Sequence, residues 1–69
     1  MFLQVYVELD LVREKLNGSF LLNANCIIEV YELKDTGFVK IRYKRGIDTA
    51  IAYTESVRFN DFLRLQKEE

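Results

Sequence analysis

A chain of 69 residues is short enough to form one domain, and a domain of this size buries only about 60 % of the surface that its unfolded chain exposes. Hydrophobic residues make up 49 % of the chain, with four tyrosines and five phenylalanines, which excludes a disordered protein. The formal net charge of −1 gives no overall signature of nucleic-acid binding. The composition predicts a single small domain over residues 1–69.

The chemistry available to the chain is limited by what the composition omits. Histidine is absent and Cys26 is the single cysteine, so neither a Ser–His or Cys–His nucleophile nor an internal disulfide can form. The three glycines are isolated, which excludes a glycine-rich phosphate loop. We therefore predict a protein that is not an enzyme, with no catalytic residue, cofactor or metal. The lone cysteine, and the lack of an export signal or a long apolar run, predict a cytoplasmic protein without membrane insertion.

The first segment alternates between apolar and polar residues, which predicts an extra N-terminal strand over residues 2–11. Residues 12–16 either continue this strand or form a new one after a bend near Asp10, and a helical turn over residues 9–16 is the further alternative. A strongly apolar strand at the end of a small domain needs a neighbour, either within the chain or in a second copy. The candidate self-association residues lie on its apolar face: Leu3, Val5, Val7 and Leu9.

Turn signals then divide the next segment. Asn17-Gly18 predicts a type I′ hairpin turn, because both residues tolerate positive φ. A short strand over residues 20–22 and a loop over 23–25 follow, with asparagine side chains bonded to their own backbone. Residues 26–33 carry apolar side chains on both faces, which predicts a central strand covered on both sides.

The clearest strand signal is the strict alternation of apolar and basic residues in the series Val39, Lys40, Ile41, Arg42, Tyr43 and Lys44. Arg45-Gly46 predicts a hairpin turn, followed by a second strand to residue 54. A two-residue loop places Ala50 and Ala52 on the inside. A loop longer by one residue places Ile51 and Tyr53 there, and their larger side chains favour this second register.

The end of the chain changes to helical spacing, with Phe59, Phe62 and Leu63 on one face. This predicts a short helix over residues 55–66 that caps the sheet, with fraying over 66–69. Together with the N-terminal strand and a β core over residues 12–54, the pattern predicts a mainly β fold. We expect an SH3-like or partly open small barrel of about five antiparallel strands with a short C-terminal helix.

Several short motifs follow one another in a characteristic order: Leu16-Asn17-Gly18, Phe20-Leu21-Leu22-Asn23, Ile27-Ile28-Glu29, Phe38-Val39-Lys40-Ile41, Gly46 and Glu55-Ser56. Over residues 12–65 this order resembles the FlbD family, small cytoplasmic proteins linked to bacterial flagella and swarming. Small phage and mobile-element proteins look similar. The resemblance implies a small β fold of bacterial or phage origin and transfers no catalytic residue.

Four basic residues fall within residues 40–45. Their spacing predicts a strip for an anionic partner, with two tyrosines near enough to stack on bases: Lys40, Arg42, Lys44, Arg45, Tyr31 and Tyr53. The alternative is a solvated face that protects an edge strand.

Two functions are compatible with these patterns. The preferred one is a non-catalytic protein-interaction module that self-associates, with a homodimer as the expected state and a further protein partner of unknown identity. It rests on the surplus of apolar strand surface in a small chain without covalent staples. The alternative is a small nucleic-acid or nucleotide binder that uses the basic face of the hairpin.

Overall fold

The computed structural model describes residues 1–67, and the side chains of residues 1–65. The elements, in chain order, are β1 (Phe2–Asp10), β2 (Lys15–Asn23), a 3-10 turn (Ala24–Cys26), β3 (Ile27–Leu33), β4 (Phe38–Arg45), β5 (Asp48–Glu55) and α1 (Ser56–Lys67). This confirms the mainly β prediction of about five strands and a short C-terminal helix. Residues 66–67, which were expected to fray, belong to α1, and residues 68–69 lie outside the described part of the chain. Within that part, no helix is both long and apolar enough to cross a membrane.

All five strands belong to one antiparallel sheet with the order β2-β1-β5-β4-β3. The first strand therefore lies between the second and the last. β1 and β5 are joined at one residue pair, Tyr6 and Tyr53, and the buried Thr54 hydroxyl donates to the Gln4 carbonyl at 3.1 Å. The sheet curls because β2 and β3, at its two edges, are connected through the short 3-10 turn. The result is a partly open barrel.

The interior of this barrel is a single apolar cluster formed by Leu3, Val5, Leu22, Val39, Ile41, Ala52 and Phe62. Val5 and Ile41 are fully buried, and Phe62 brings α1 over one end of the sheet. The rings of Phe20 and Tyr43 meet with their centroids 6.0 Å apart and pack, partly buried, against this cluster.

The hairpin between β4 and β5 turns at Gly46-Ile47, one residue later than predicted, with Arg45 paired to Asp48. Gly46 adopts a φ of +62°, as the first central residue of a type II′ turn does. Such a conformation is strained for any residue with a Cβ, so the glycine determines where the chain reverses.

The register of this hairpin places Ile41 opposite Ala52 and Tyr43 opposite Ala50. Both alanines are therefore on the inner face, and the favoured prediction that Ile51 and Tyr53 point inward is wrong. Aromatic rings from β2, β4 and α1 already occupy the small interior, so the strand that faces them carries small side chains.

The predicted turn at Asn17-Gly18 is also wrong, because both residues lie within β2. The chain reverses over residues 11–14 instead. The Asp10 carboxylate accepts hydrogen bonds from the backbone N–H groups of Val12 (3.1 Å) and Arg13 (3.2 Å). An aspartate that bonds the backbone two and three residues on stabilises a turn by itself. Of the alternatives for this segment, a bend near Asp10 followed by a new strand agrees with the structure, in which β2 begins at Lys15; neither a continued strand nor a helix forms there.

β3 is an edge strand of the sheet, not the predicted central one, and it pairs with β4. Ile28 and Val30 are 45 % and 37 % exposed. A β-bulge between Ile27 and Glu29 shifts the alternation, so the apolar residues divide between two faces without either face being covered. The predicted loop before it is confirmed as a 3-10 turn in which the Asn23 side chain accepts from the Asn25 backbone at 2.9 Å.

Candidate interaction surfaces

The outer face of the sheet carries a row of side chains that crosses four strands. Tyr31 of β3 lies opposite Lys40 of β4, Lys40 opposite Tyr53 of β5, and Tyr53 opposite Tyr6 of β1. The Lys40 ammonium lies 6.0 Å from the centre of the Tyr31 ring, at the limit of a cation–π contact. We call these four residues the tyrosine–lysine row. The structure thus brings three predicted site residues together and adds Tyr6, whose place depends on the long-range pairing of β1 with β5.

The neighbouring row contains an ion pair. Arg42 binds the Glu29 carboxylate from the adjacent strand, and the Tyr31 hydroxyl donates a hydrogen bond to the same carboxylate. The Tyr31 hydrogen bond and then the Arg42 contact lower the pKa of Glu29. The hydrogen bond to Glu29 raises the pKa of Arg42 in turn. Glu29 therefore stays ionised and neutralises Arg42 at neutral pH.

The predicted basic strip is consequently a face of mixed charge. Lys40, Arg42 and Lys44 do share one side of β4, as their spacing predicts. Arg42 is paired with an acid, however, and Arg45 lies opposite Asp48 in the hairpin. The attraction that this face can exert on a phosphate backbone is therefore weaker than the sequence indicates.

A second surface is formed where β1 and β2 stay paired with each other beyond the last residue pair between β1 and β5. Pairing of β1 with β5 is confined to Tyr6–Tyr53, whereas its pairing with β2 continues to Asp10–Lys15. Residues 7–18 therefore form a two-stranded hairpin that we call the arm. Val7 and Gly18 lie next to the barrel, and the apolar pair Leu9–Leu16 follows.

The arm exposes much of its apolar surface. Val7 is 58 % exposed, and Leu11 and Val12 in the turn, which we call the tip, are 53 % and 95 % exposed. Gly18 has a φ of +76°, and a Cβ there would lie 3.3 Å from Val7 Cβ and Cγ2. The missing side chain leaves an open hollow of about 310 Å³ beside Val7.

The predicted self-association residues divide between these two regions. Leu3 and Val5 are 3 % and 0 % exposed and belong to the core of their own chain, so their prediction as a contact surface is wrong. Val7 and Leu9 lie on the arm. The strand pattern is the same for all four residues, but only the first half of β1 is covered by the barrel interior.

A third surface, which the sequence patterns do not indicate, is an open groove of about 450 Å³ between the start of β1 and α1. Its floor contains the buried Leu3 and Phe62. Its rim contains three side chains that are more than half exposed, Phe2 (61 %), Val57 (72 %) and Leu65 (57 %). Helical periodicity could have indicated Leu65, but the sequence does not reveal that α1 lies beside β1.

The polar residues of this groove are mostly paired within the chain. The Arg58 guanidinium donates to the Gln4 side-chain oxygen at 2.9 Å and lies 3.8 Å from the Glu55 carboxylate. Asp61 accepts from Arg64 at 2.8 Å. The groove therefore has a mixed lining, with five apolar residues and four polar or charged ones, namely Gln4, Glu55, Arg58 and Asp61.

Within the described residues, no group of three or more histidine, cysteine or acidic side chains could hold a metal ion, and the Cys26 thiol is half-buried. The chain matches no family model, and searches of curated proteins and of solved structures find no match. Its own surfaces are therefore the basis for an inference about function.

Proposed function

We propose that this protein is a non-catalytic interaction module that self-associates, with the arm as its principal contact surface. The observation that carries the proposal is the uncovered apolar surface of the arm. A two-stranded hairpin is marginally stable in water when nothing packs on it. A second copy that packs on the arm stabilises it and removes its apolar side chains from water.

The exposed residues of the arm favour a homodimer as the simplest assembly. Val7, Leu11 and Val12 are all more than half exposed and belong to one hairpin that is not paired with β5. Contact between apolar surfaces contributes roughly 25 cal/mol per Å² removed from water. Two-fold symmetry uses the same surface twice and closes the assembly.

The biological setting that we propose follows from the sequence. A bacterial or phage origin accords with the resemblance to the FlbD family, and a cytoplasmic location accords with the free Cys26 thiol. A further protein partner would bind the assembled dimer.

The test compares the mass of the protein in solution with that of two matched variants. Val12→Asp places a charge on the tip. Ile47→Asp places one at the turn between β4 and β5, where the side chain is also fully exposed. By light scattering at micromolar concentration we expect a dimer for the wild type and for Ile47→Asp, and a monomer for Val12→Asp. The proposal is contradicted if the wild type is monomeric at all concentrations up to about 100 µM. The dissociation constant of the dimer would then exceed that of any useful contact.

The second candidate function is nucleic-acid or nucleotide binding, and the tyrosine–lysine row favours it. Bases stack on tyrosine rings, and Lys40 lies between two of them. The charges count against it, because Arg42 and Arg45 already face acids. We therefore expect no salt-sensitive affinity for single-stranded RNA or DNA at physiological salt.

A comparison of Lys40→Gln with Lys34→Gln tests this second candidate. Each variant removes one positive charge and leaves the Arg42–Glu29 pair intact, but only Lys40 lies in the row. Nucleic-acid binding that weakens in Lys40→Gln and persists in Lys34→Gln, with a shallower dependence on salt, would make the second candidate the preferred one.

A further inference from the structure

We propose that a pocket between β3 and α1 binds a lysine side chain of a partner protein. This inference rests on the part of the proposed function that assigns a further protein partner, and it gives the chemistry of that partner. The pocket has a volume of about 230 Å³ and lies between the first two turns of α1 and the inner face of β3 and β4. It is lined by Val30, Glu32, Val39, Ser56, Phe59 and Asn60.

Glu32 is an acid on the side of β3 that faces the core. It lies opposite Val39, which belongs to the core cluster. Its neighbour on the same side, Val30, lies opposite the fully buried Ile41. An ionisable residue in the pattern of a core face conflicts with the fold unless it has a role of its own. Because β3 is the edge strand, the Glu32 side chain stays exposed at the margin of the sheet, where a partner can reach it.

The polar groups of this pocket are available to a donor from outside the chain. Among the described side chains, Glu32 takes part in no ion pair. The side chains of Glu32, Ser56 and Asn60 also form no hydrogen bond with any other described residue. Ser56, Phe59 and Asn60 are at positions i, i+3 and i+4 of α1, so they share one helix face. The pocket therefore combines a carboxylate, a hydroxyl and an amide oxygen as acceptors.

A lysine side chain matches this combination of groups. Its apolar stem suits the walls formed by Val30 and Phe59 and the floor formed by Val39, which is 5 % exposed. Its ammonium carries three donors for the three acceptors. The volume of about 230 Å³ is below the roughly 300–1,000 Å³ of a pocket for a small organic molecule, and it suits a single side chain.

Other charged side chains match the pocket less well. The guanidinium of arginine is planar and binds a carboxylate through two parallel hydrogen bonds, which would leave the Ser56 hydroxyl and the Asn60 amide unused. An acidic side chain or a phosphate would be repelled by the Glu32 carboxylate. The charge of the pocket therefore selects a cation, and its three separate acceptors select an ammonium.

The experiment titrates the ¹⁵N-labelled protein with blocked tripeptides at physiological salt and follows the backbone amide resonances by NMR. The probes are Gly-Lys-Gly, Gly-norleucine-Gly, which keeps the apolar stem without the charge, and Gly-Arg-Gly. We expect the lysine tripeptide to shift the resonances of Val30, Glu32 and Asn60, with a dissociation constant on the order of 1 mM for so small a ligand. The norleucine tripeptide should bind about tenfold or more weakly, and the arginine tripeptide should bind several-fold more weakly.

Two glutamine variants form a matched pair. Glu32→Gln keeps the shape of the side chain and removes its charge, so it should weaken binding of the lysine tripeptide about tenfold or more. Glu14→Gln removes the same charge from an exposed position on the tip and should bind the peptide as the wild type does. Asn60→Ala changes the helix side of the pocket and should weaken binding about threefold, which repeats the test if Glu32→Gln does not fold.

Each outcome bears on the pocket separately from self-association. Equal binding by the two glutamine variants would show a general attraction to the acids of the chain and would refute the pocket. If the pocket resonances do not move at up to about 50 mM peptide, Glu32 only protects the edge strand, and the inference is also refuted. Stronger binding of the arginine tripeptide would refute the choice of lysine. A wild type that dimerises in light scattering and ignores the peptide refutes the pocket alone, whereas a monomer that binds the peptide refutes self-association and retains the pocket.

Discussion

Replacing Gly18 by alanine tests the account of the arm, because this residue lies inside a strand in a conformation that suits a turn. Its φ is +76°, and a Cβ would lie 3.3 Å from two side-chain carbons of Val7. A residue with a Cβ loses about 1–2 kcal/mol in this conformation. Alanine also restricts the unfolded chain more than glycine does, and this offsets about 0.4–1 kcal/mol of the loss. With the crowding against Val7 added, we expect the free energy of unfolding to fall by about 1–2 kcal/mol.

Gly37→Ala is the matched control. Gly37 has a φ of +81°, and nothing lies within 4 Å of the place that a Cβ would occupy. Its substitution carries the backbone cost without the crowding, so we expect a smaller loss of about 0.5–1 kcal/mol. Val7→Ala removes Cγ2, one of the two carbons that a Cβ at position 18 would crowd. In a Val7→Ala background, the loss of unfolding free energy caused by Gly18→Ala should therefore be closer to that of Gly37→Ala.

Urea unfolding followed by circular dichroism measures both values. All variants must be compared at one protein concentration, since self-association makes the unfolding midpoint depend on concentration. If Gly18→Ala is no more destabilising than Gly37→Ala, Val7 does not crowd this position and the described geometry of the arm is refuted.

Three further changes probe the core, the turn and the ion pair. Ile41→Ala removes a fully buried side chain and should lower the unfolding free energy by about 2–5 kcal/mol, measured by urea unfolding. Asp10→Ala removes the acceptor of two backbone hydrogen bonds and should lower the unfolding free energy by about 0.5–1.5 kcal/mol. Asn17→Ala should change it by no more than about 0.5 kcal/mol. A larger loss for Asn17→Ala than for Asp10→Ala would contradict the turn over residues 11–14. The lowered pKa of Glu29 stabilises the fold above the pKa of the unfolded carboxyl, and this contribution is lost as pH falls through the folded pKa. In an NMR titration, Tyr31→Phe should raise the Glu29 pKa, and an unchanged value would show that the hydroxyl does not bind the carboxylate.

The features that the sequence predicts well depend on neighbours along the chain. Alternation in β4 places Val39 and Ile41 inside and Lys40 outside. Helical spacing identifies Phe62, which is 8 % exposed against the core. These patterns are local, because each follows from the 2.0 or 3.6 residue period of a single element.

The features that it misses depend on which elements become neighbours. Leu3 and Val7 have equivalent places in the pattern, and only the pairing of β1 with β5 determines that one is buried and the other exposed. The neutralisation of Arg42 is equally nonlocal, because the bulge in β3 places Glu29 opposite to it. Asn17-Gly18 has the strongest local turn signal, but the Asp10 carboxylate stabilises an earlier reversal.

The position of β1 between β2 and β5 has a consequence for how the chain folds. The hairpin β1–β2 and the meander β3–β4–β5 each form between neighbours in sequence, whereas the bond between Thr54 and Gln4 joins residues 50 positions apart. Closing so long a loop costs entropy before contacts compensate for it, so docking of the two halves should limit the folding rate. During synthesis the β1–β2 hairpin emerges before β5. Leu3 and Val5 therefore stay in contact with water until β5 is made. In that interval the nascent hairpin is the part of the chain most exposed to aggregation.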